Sequence, residues 1–244
     1  MTNKTEISSI LKNSKNLVDI FNFYVNKKPH YKAFFFKKNS NWIPNSFFET
    51  KKRIEKIKNY FLNSGIKKGD RVFLLSNNRL EWVEFDLAIM SVGAITVPSF
   101  VTNNQHDNSF IINDCKPKFV ILENESIYEK NKSFLEINRS KIITIETSSQ
   151  FENYNNILNK NTKTKAKTSL IKKKQVSSII YTSGTTGDPK GVVLTHESIM
   201  HNLFGALEIM DEFDLDKERF ISFLPLSHSY ERMAGLYFPI LICA

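Results

Sequence analysis

One short stretch of the chain, residues 182–191, combines glycines, hydroxyl side chains and a lysine between two apolar runs. Its glycines are Gly184, Gly187 and Gly191, its hydroxyl side chains are Thr182, Ser183, Thr185 and Thr186, and its cation is Lys190. Glycine lets the backbone approach an anion closely with its N–H groups free, while the hydroxyls donate hydrogen bonds and the lysine supplies charge. The stretch therefore predicts a phosphate-binding loop. A polar surface turn without a ligand is the alternative, and the length and order of the string argue against it.

A nucleotidase loop of the GxxxxGK type does not fit these residues. In that loop the lysine directly follows the second glycine and a helix begins at once. Here Lys190 follows Pro189, precedes Gly191 and leads into a predicted strand at 192–194. Because proline fixes its own φ and biases Asp188 toward extended geometry, we expect the lysine to be presented from a stiffened loop.

The stretch instead resembles the phosphate-binding signature of the adenylate-forming enzymes, which include acyl-CoA synthetases, luciferases and the adenylation domains of peptide synthetases. Leu194-Thr195-His196 continues the signature, and residues 223–232 (FLPLSHSYER) are similar to an element of long-chain fatty acyl-CoA synthetases. Residues 69–72, 78–82 and 93–98 (GDRV, NRLEW and GAITVP) also resemble the amino-terminal part of those enzymes. The resemblance extends from about residue 17 to the last residue and weakens between 123 and 175.

The resemblance implies ATP-dependent activation of a long-chain fatty acid to an acyl-adenylate and then to acyl-CoA, with Mg²⁺ and coenzyme A. It assigns the ATP phosphates to Thr182, Ser183, Gly184, Thr185, Thr186, Gly187 and Lys190, and Mg²⁺ to Thr182. His228 is the candidate catalytic residue, shaping the substrate site where the nucleotide and acyl pockets meet. For His228 alone, a hydrogen-bonded packing role is the alternative. We expect the adjacent Glu231 and Arg232 to form an ordinary surface charge pair.

Several later elements of the family are missing after the His228 element: an acidic element, a ribose-binding aspartate, a hinge and the small carboxyl-terminal domain. We therefore expect residues 1–244 to form a partial amino-terminal AMP-binding domain, unable to complete either half-reaction alone. A non-catalytic nucleotide- or polyanion-binding module that uses the same loop is the competing hypothesis.

Alternating helical and strand patterns predict an α/β fold with mostly parallel, layered sheets flanked by helices. The predicted helices are 50–63 (ended by Gly65), 80–92, 105–114 and one opening near His196; the predicted strands are 71–75, 94–97 (closed by Pro98), 118–122, 141–145, 176–181 and 192–194. Ligands of such sheets bind beyond the carboxyl ends of the strands, where the loop after Tyr181 would lie.

The net charge of +9 raises the question of nucleic acid binding. Residues 153–175 hold seven lysines and no acidic residue, and without them the net charge is +2, so the basicity is local. Only six of the 34 basic residues are arginine, which disfavours base recognition. We interpret 153–175 as a solvated Lys/Asn-rich loop. Weak, salt-sensitive contact with anionic lipid stays open, and the expected partner is a small molecule, the fatty acid.

Cysteine content and hydropathy favour a cytoplasmic protein. Cys115 and Cys243 are the only cysteines and lack a CxxC or histidine partner, which supports neither a disulfide framework nor a metal site. Residues 1–16 lack the apolar core of a signal peptide. The most apolar run, 233–244, is shorter than the roughly 20 residues of a membrane span and contains Pro239, so we expect a buried segment.

Overall fold

The structure of the protein is a computed structural model that describes residues 4–138, 140–160, 170–182, 188–210 and 218–244. The chain divides into two compact units. Unit 1 comprises Met1–Arg53, Ile171–Gln175 and Thr195–Ala244, and unit 2 comprises Ile54–Leu170 and Val176–Leu194. Within the described ranges, no helix is both long and apolar enough to cross a bilayer.

Unit 2 is built on a seven-stranded sheet. In spatial order its strands are β7 (Glu152–Asn153), β6 (Lys141–Thr144), β5 (Phe119–Leu122), β3 (Arg71–Leu75), β4 (Ile95–Ser99), β8 (Val176–Thr182) and β9 (Lys190–Thr195). The pairs from β7 to β8 are parallel, and in this register Val72 lies beside both Thr96 and Phe119. The predicted α/β class and mostly parallel sheet are confirmed.

The helices of unit 2 are α4 (Leu80–Ser91), α5 (Gln105–Cys115), α6 (Glu125–Leu135), α7 (Tyr154–Asn159) and most of α3 (Phe47–Asn63). As its apolar composition predicts, α4 is buried on every side. Two of its buried residues are acidic, and both are hydrogen bonded: Tyr154 Oη donates to Glu84, and Thr96 Oγ1 donates to Asp86 over 2.7 Å. These bonds offset the cost of desolvating the two carboxyl groups.

Two of the differences from the sequence predictions lie at Pro98 and at residues 153–175. β4 continues through Pro98, which pairs with Leu74, because a proline fits extended backbone and lacks only its own hydrogen-bond donor. The predicted loop at 153–175 is wrong at its start, since Asn153 ends β7 and caps α7 by accepting from Asn156 N–H. Residues 161–169 of that loop lie outside the described residues.

Unit 1 contains α1 (Lys4–Asn13), α2 (Leu17–Lys27), the antiparallel pair β1 (Lys32–Lys38) and β2 (Asn41–Ser46), the start of α3 and α8 (His196–Ile209). Its carboxyl-terminal part is α9 (Ser229–Glu231), a π-helix (Arg232–Tyr237) and α10 (Phe238–Ile242). Aromatic rings of Phe21, Tyr24 and Phe47 meet in the core, and Tyr24 Oη donates to Leu241 O over 2.6 Å. Most of the apolar run 233–244 is buried, as predicted.

Helix α3 begins earlier than the predicted residue 50 because a capping box starts it at Phe47. Ser46 N–H donates to the Glu49 carboxylate over 2.7 Å, and Glu49 N–H donates back to Ser46 Oγ over 3.2 Å. At the other end, Gly65 has φ +81°, and Gly65 N–H and Ile66 N–H bond to the carbonyls of Leu62 and Phe61. The predicted glycine cap is therefore confirmed.

The capping box makes the stability of the protein depend on pH. Hydrogen bonds from Ser46 and the Lys32 ammonium lower the pKa of Glu49 from 4.5 to about 2. Because the folded pKa is the lower one, the contribution of Glu49 is complete above pH 4.5 and is lost as the pH falls toward 2. We expect Glu49→Ala to lower the free energy of unfolding by about 0.5 to 1 kcal/mol at pH 7 and by nothing measurable near pH 2.

Urea denaturation at both pH values measures this difference. Glu129→Ala is the matched control, because Glu129 is an exposed helical glutamate paired only loosely with Lys132 at 3.8 Å. A Glu49→Ala deficit that persisted unchanged at pH 2 would contradict the assignment.

Candidate nucleotide-binding site

The two described ends of the predicted phosphate loop lie on neighbouring strands. Thr182 is the last residue of β8, Lys190 is the first residue of β9, and both residues are exposed. Ser183, Gly184, Thr185, Thr186 and Gly187 lie outside the described residues. Lys190 is therefore a strand residue, where the sequence predicted presentation from a stiffened loop, and the backbone pairing of β9 fixes its position.

Contacts between the two strands show how they are aligned. Ser177 Oγ donates to Leu194 O over 3.2 Å near one end of the pair, and Gly191 lies against Ile179 and Tyr181 near the other. The strands consequently run in opposite directions, and Thr182 and Lys190 meet at one edge of the sheet. That edge is the carboxyl end of the parallel strands β3, β4, β5 and β8, where ligands of α/β sheets bind.

Gly191 allows the two strands to approach closely. A Cβ atom at this position would lie 3.1 Å from Ile179 Cγ2 and 3.1 Å from Tyr181 Cζ, closer than ordinary van der Waals contact. A side chain here would push β9 away from β8 and shift the neighbouring Lys190. The glycine thus positions the lysine of the candidate site.

Tyr181 attaches the end of β8 to α5. Its ring packs in the core of unit 2, and its hydroxyl donates to Asp114. Burial, followed by the bond to Asp114, raises the pKa of Tyr181, so the hydroxyl stays protonated and remains a donor. This anchor lies directly before the first residue of the loop.

A paired substitution tests the role of Gly191. We expect Gly191→Ala to lower the free energy of unfolding by about 1 to 3 kcal/mol through overpacking. Gly205→Ala is the control, because no atom of the described residues lies within 4 Å of a Cβ built at Gly205 in α8. The control is expected to raise stability by about 0.5 to 1 kcal/mol. Thermal denaturation measures both, and equal effects at the two glycines would contradict the proposed role.

A charge cluster occupies the same sheet edge after β3, β5 and β6. Arg79 lies 3.0 Å from Glu81, 3.3 Å from Glu146 and 3.9 Å from Glu123. Asn77 N–H donates to Glu123 over 2.7 Å. Burial disfavours the charged form of Arg79, but its acidic partners outweigh burial and raise the pKa of the guanidinium. Lys190 differs from Arg79 in this respect. In the part of the chain that the structure describes, no acidic residue lies within 4 Å of the Lys190 ammonium group, so this group can bind an anion.

His228 belongs to unit 1, whereas Thr182 and Lys190 belong to unit 2, and the structure describes each unit by itself. The His228 side chain caps α9, with Nδ1 accepting from Tyr230 N–H over 3.2 Å. In the neutral imidazole this bond places the proton on Nε2. His228 is exposed, and both its catalytic role and the alternative of a hydrogen-bonded packing role stay predictions.

The prediction that Glu231 and Arg232 form a surface charge pair is wrong. Glu231 is 4% exposed and Arg232 is 2% exposed, and the Arg232 guanidinium lies 5.6 Å from the centre of the Tyr237 ring. Both residues begin the apolar carboxyl-terminal segment, whose helix buries them. That the apolar run starts at the next residue, Met233, is the sequence signal that the surface interpretation overlooked.

The π-helix leaves space for the Glu231 carboxyl group. A Cβ on Gly235 would lie 2.2 Å from Glu231 Oε1, so glycine is required for the present position of the carboxyl group. π-Helical turns are rare and occur frequently at functional sites. This one directly follows the element that carries His228.

A Mg²⁺ ion that arrives with ATP needs few ligands from the protein. Mg²⁺ retains water and takes oxygens from substrate phosphates, with only one or two ligands from side chains. The exposed Thr182 hydroxyl at the end of β8 suits one such position. Across the described ranges, no three His, Cys, Asp or Glu residues are grouped as a metal site.

Comparison with known proteins assigns the chain to a family. The family model of the AMP-binding enzymes matches residues 21–244. The chain belongs to this family of adenylate-forming enzymes, as the sequence resemblance predicted. Curated relatives include a long-chain-fatty-acid–CoA ligase, FadD15, of Mycobacterium tuberculosis, 29% identical over 188 residues, which cover 72% of this chain and 30% of that protein. Long chain acyl-CoA synthetase 3 of Arabidopsis thaliana is 28% identical over 237 residues, which cover 88% of this chain and 36% of that protein.

Solved structures share the fold. A fatty acyl-adenylate ligase from L. pneumophila, solved in complex with acyl adenylate and pyrophosphate, has a TM-score of 0.76 at 23% identity. The similarity covers 95% of this chain and 39% of that chain. The chain thus spans about a third of the length of these two curated relatives and about two fifths of this solved protein.

Proposed function

We propose that this chain is the amino-terminal part of an AMP-binding domain that activates a long-chain fatty acid with ATP. In the first half-reaction a carboxylate oxygen of the fatty acid attacks the α-phosphorus of ATP. The bond between the α-phosphorus and the bridging oxygen breaks, and pyrophosphate leaves with the electron pair. In the second, the thiol of coenzyme A loses its proton and attacks the acyl carbonyl, and AMP leaves as the thioester forms.

The placement of Thr182 and Lys190 carries this proposal. Both flank one loop at the carboxyl edge of a parallel sheet, and both are exposed. The first half-reaction brings two anions together, so it depends on positioning and on neutralising phosphate charge. We assign to Lys190, the first residue of β9, the contact with the departing β- and γ-phosphates. The backbone and hydroxyl donors of residues 183–187 complete this contact in our proposal.

Mg²⁺ would reduce the negative charge of the phosphates, and Thr182 is the residue we assign to it. His228 is assigned to shaping the acyl and nucleotide pockets where they meet. Its Nδ1 accepts from Tyr230 N–H, so Nε2–H is the ring atom that can donate to a substrate oxygen.

Pyrophosphate release that depends on fatty acid tests the proposal. The assay supplies MgATP with and without palmitate, using the product of the complete reading frame that contains these residues. Release that requires palmitate, followed by palmitoyl-CoA formation when coenzyme A is added, is the expected result. No release, together with binding of ATP and heparin that weakens steeply with salt, would favour the competing polyanion-binding module.

A further inference from the structure

The β1–β2 hairpin of unit 1 has one face packed on the core and one face exposed. Phe34 packs on Phe21 and Phe47, with ring centres 6.5 and 5.9 Å apart. In the antiparallel register Phe35 lies opposite Pro44, and Lys37 lies opposite Trp42. Directly opposed residues share a face and successive residues alternate, so these four residues form the outer face.

The outer face exposes large apolar side chains. Trp42 is 59% exposed and Phe35 is 44% exposed. The strands are joined by Asn39 and Ser40, with φ +47° and +66°. Two consecutive positive φ values at a two-residue connection define a tight hairpin turn. Trp42 therefore extends into solvent from a short, firmly constrained support.

The hairpin lies in a basic stretch of the sequence. Residues 27–53 contain eight basic residues and one acidic residue, a net charge of +7. The single acidic residue, Glu49, is engaged by Lys32 at 3.0 Å. Lys37 and Lys38 are exposed and have no acidic partner within 4 Å among the described residues. The interpretation that the basicity is local to 153–175 is therefore incomplete, because acidic residues elsewhere conceal this second basic region in the total.

We propose that the outer face of the β1–β2 hairpin docks on the surface of an anionic phospholipid bilayer. Tryptophan is favoured at the boundary between lipid headgroups and acyl chains, where its ring is buried and its N–H stays hydrated. Lysines beside it are attracted by anionic headgroups. An exposed tryptophan suits the headgroup boundary of the bilayer, and the lysines suit its negative charge.

Other partners fit the face less well. A second copy of the chain carries the same positive charge, so a hairpin-to-hairpin dimer places like charges together. Nucleic acid would also be attracted by the lysines, but the hairpin carries no arginine, the cation favoured for nucleic acid recognition. Membrane docking goes beyond the proposed ligase function. Vesicle binding is measured without ATP, so a negative result in this assay leaves the ligase proposal unaffected, and the reverse also holds.

Vesicle binding tests the docking proposal. The protein is titrated with phosphatidylcholine vesicles that contain about a third phosphatidylglycerol, and with pure phosphatidylcholine vesicles. The chain has two tryptophans, and Trp82 is fully buried, so a blue shift of fluorescence on binding reports Trp42. We expect binding and a blue shift with anionic vesicles, weakening as salt is raised.

Matched variants separate the hairpin from general charge and exposure. We expect Trp42→Ser and the double substitution Lys37→Gln/Lys38→Gln each to weaken binding about tenfold or more. Their controls are Ile137→Ser, at an exposed apolar residue of unit 2, and Lys67→Gln/Lys68→Gln, at another exposed lysine pair. The controls are expected to weaken binding less than threefold, which is much less than the loss expected when two lysines leave an anionic surface.

Several results would overturn the proposal. These are absence of binding to anionic vesicles, binding without a blue shift, or equal losses for hairpin and control variants. Circular dichroism of each variant verifies that folding is unchanged. All substituted residues are exposed, so unfolding of a variant would itself contradict the described geometry.

Discussion

Lys190→Met is expected to slow fatty-acid-dependent pyrophosphate release by about 10² to 10³-fold, the effect typical of losing one preorganised group that stabilises developing negative charge. The substitution removes the cation at the start of β9 and keeps an unbranched side chain of similar length. Because Lys190 is exposed, the free energy of unfolding should change by less than about 0.5 kcal/mol. Steady-state pyrophosphate release and a MgATP titration measure the effect.

Lys174→Met is the matched control for this prediction. Lys174 is also exposed and belongs to the basic tract, but it precedes β8 and does not flank the loop. We expect it to leave MgATP binding unchanged at physiological salt. Equal losses in the two variants would indicate diffuse attraction of polyanions and would count against a defined phosphate site.

Arg232→Ala is expected to lower the free energy of unfolding by about 3 to 5 kcal/mol. Arg232 is among the largest fully buried side chains, and its guanidinium lies over the Tyr237 ring. Truncation removes this contact and opens a cavity at a fully buried position. Urea denaturation monitored by circular dichroism measures the loss.

The control is Arg219→Ala, which removes an exposed arginine of the same unit. Among the described residues, its guanidinium donates to the carbonyl of the neighbouring Glu218 over 3.0 Å. We expect a change within about 0.5 kcal/mol. If Arg232→Ala were equally mild, the buried position of its side chain would be refuted.

Local patterns predicted the central strands and helices well. Strand β3 has the predicted bounds, and α4 and α5 differ from prediction by one residue each, because apolar periodicity and caps are encoded in neighbouring residues. The start of α3 was placed too late because the Ser46 to Glu49 signature was not recognised. The hairpin β1–β2 and helices α1 and α2 were not predicted at all.

The sequence predicted the residue types of the candidate site, but not the contacts that hold these residues in position. The order of glycines, hydroxyls and lysine indicated a phosphate loop, and Thr182 and Lys190 do lie at the carboxyl edge of the sheet. That Gly191 packs against Tyr181, and that Tyr181 bonds to Asp114, depends on residues far apart in the chain. The burial of Arg232 likewise results from tertiary packing, which an isolated charge pair in a sequence does not reveal.

The position of β9 at the end of the strand order links the candidate site to self-association. An outermost strand presents unpaired backbone groups on its free side, and β9 also exposes Val192 and Val193. A foreign strand added there would extend the sheet and alter the surroundings of Lys190. If Lys190 binds the nucleotide as proposed, strand addition on that side would be coupled to nucleotide binding, and aggregation through β9 would lower nucleotide affinity.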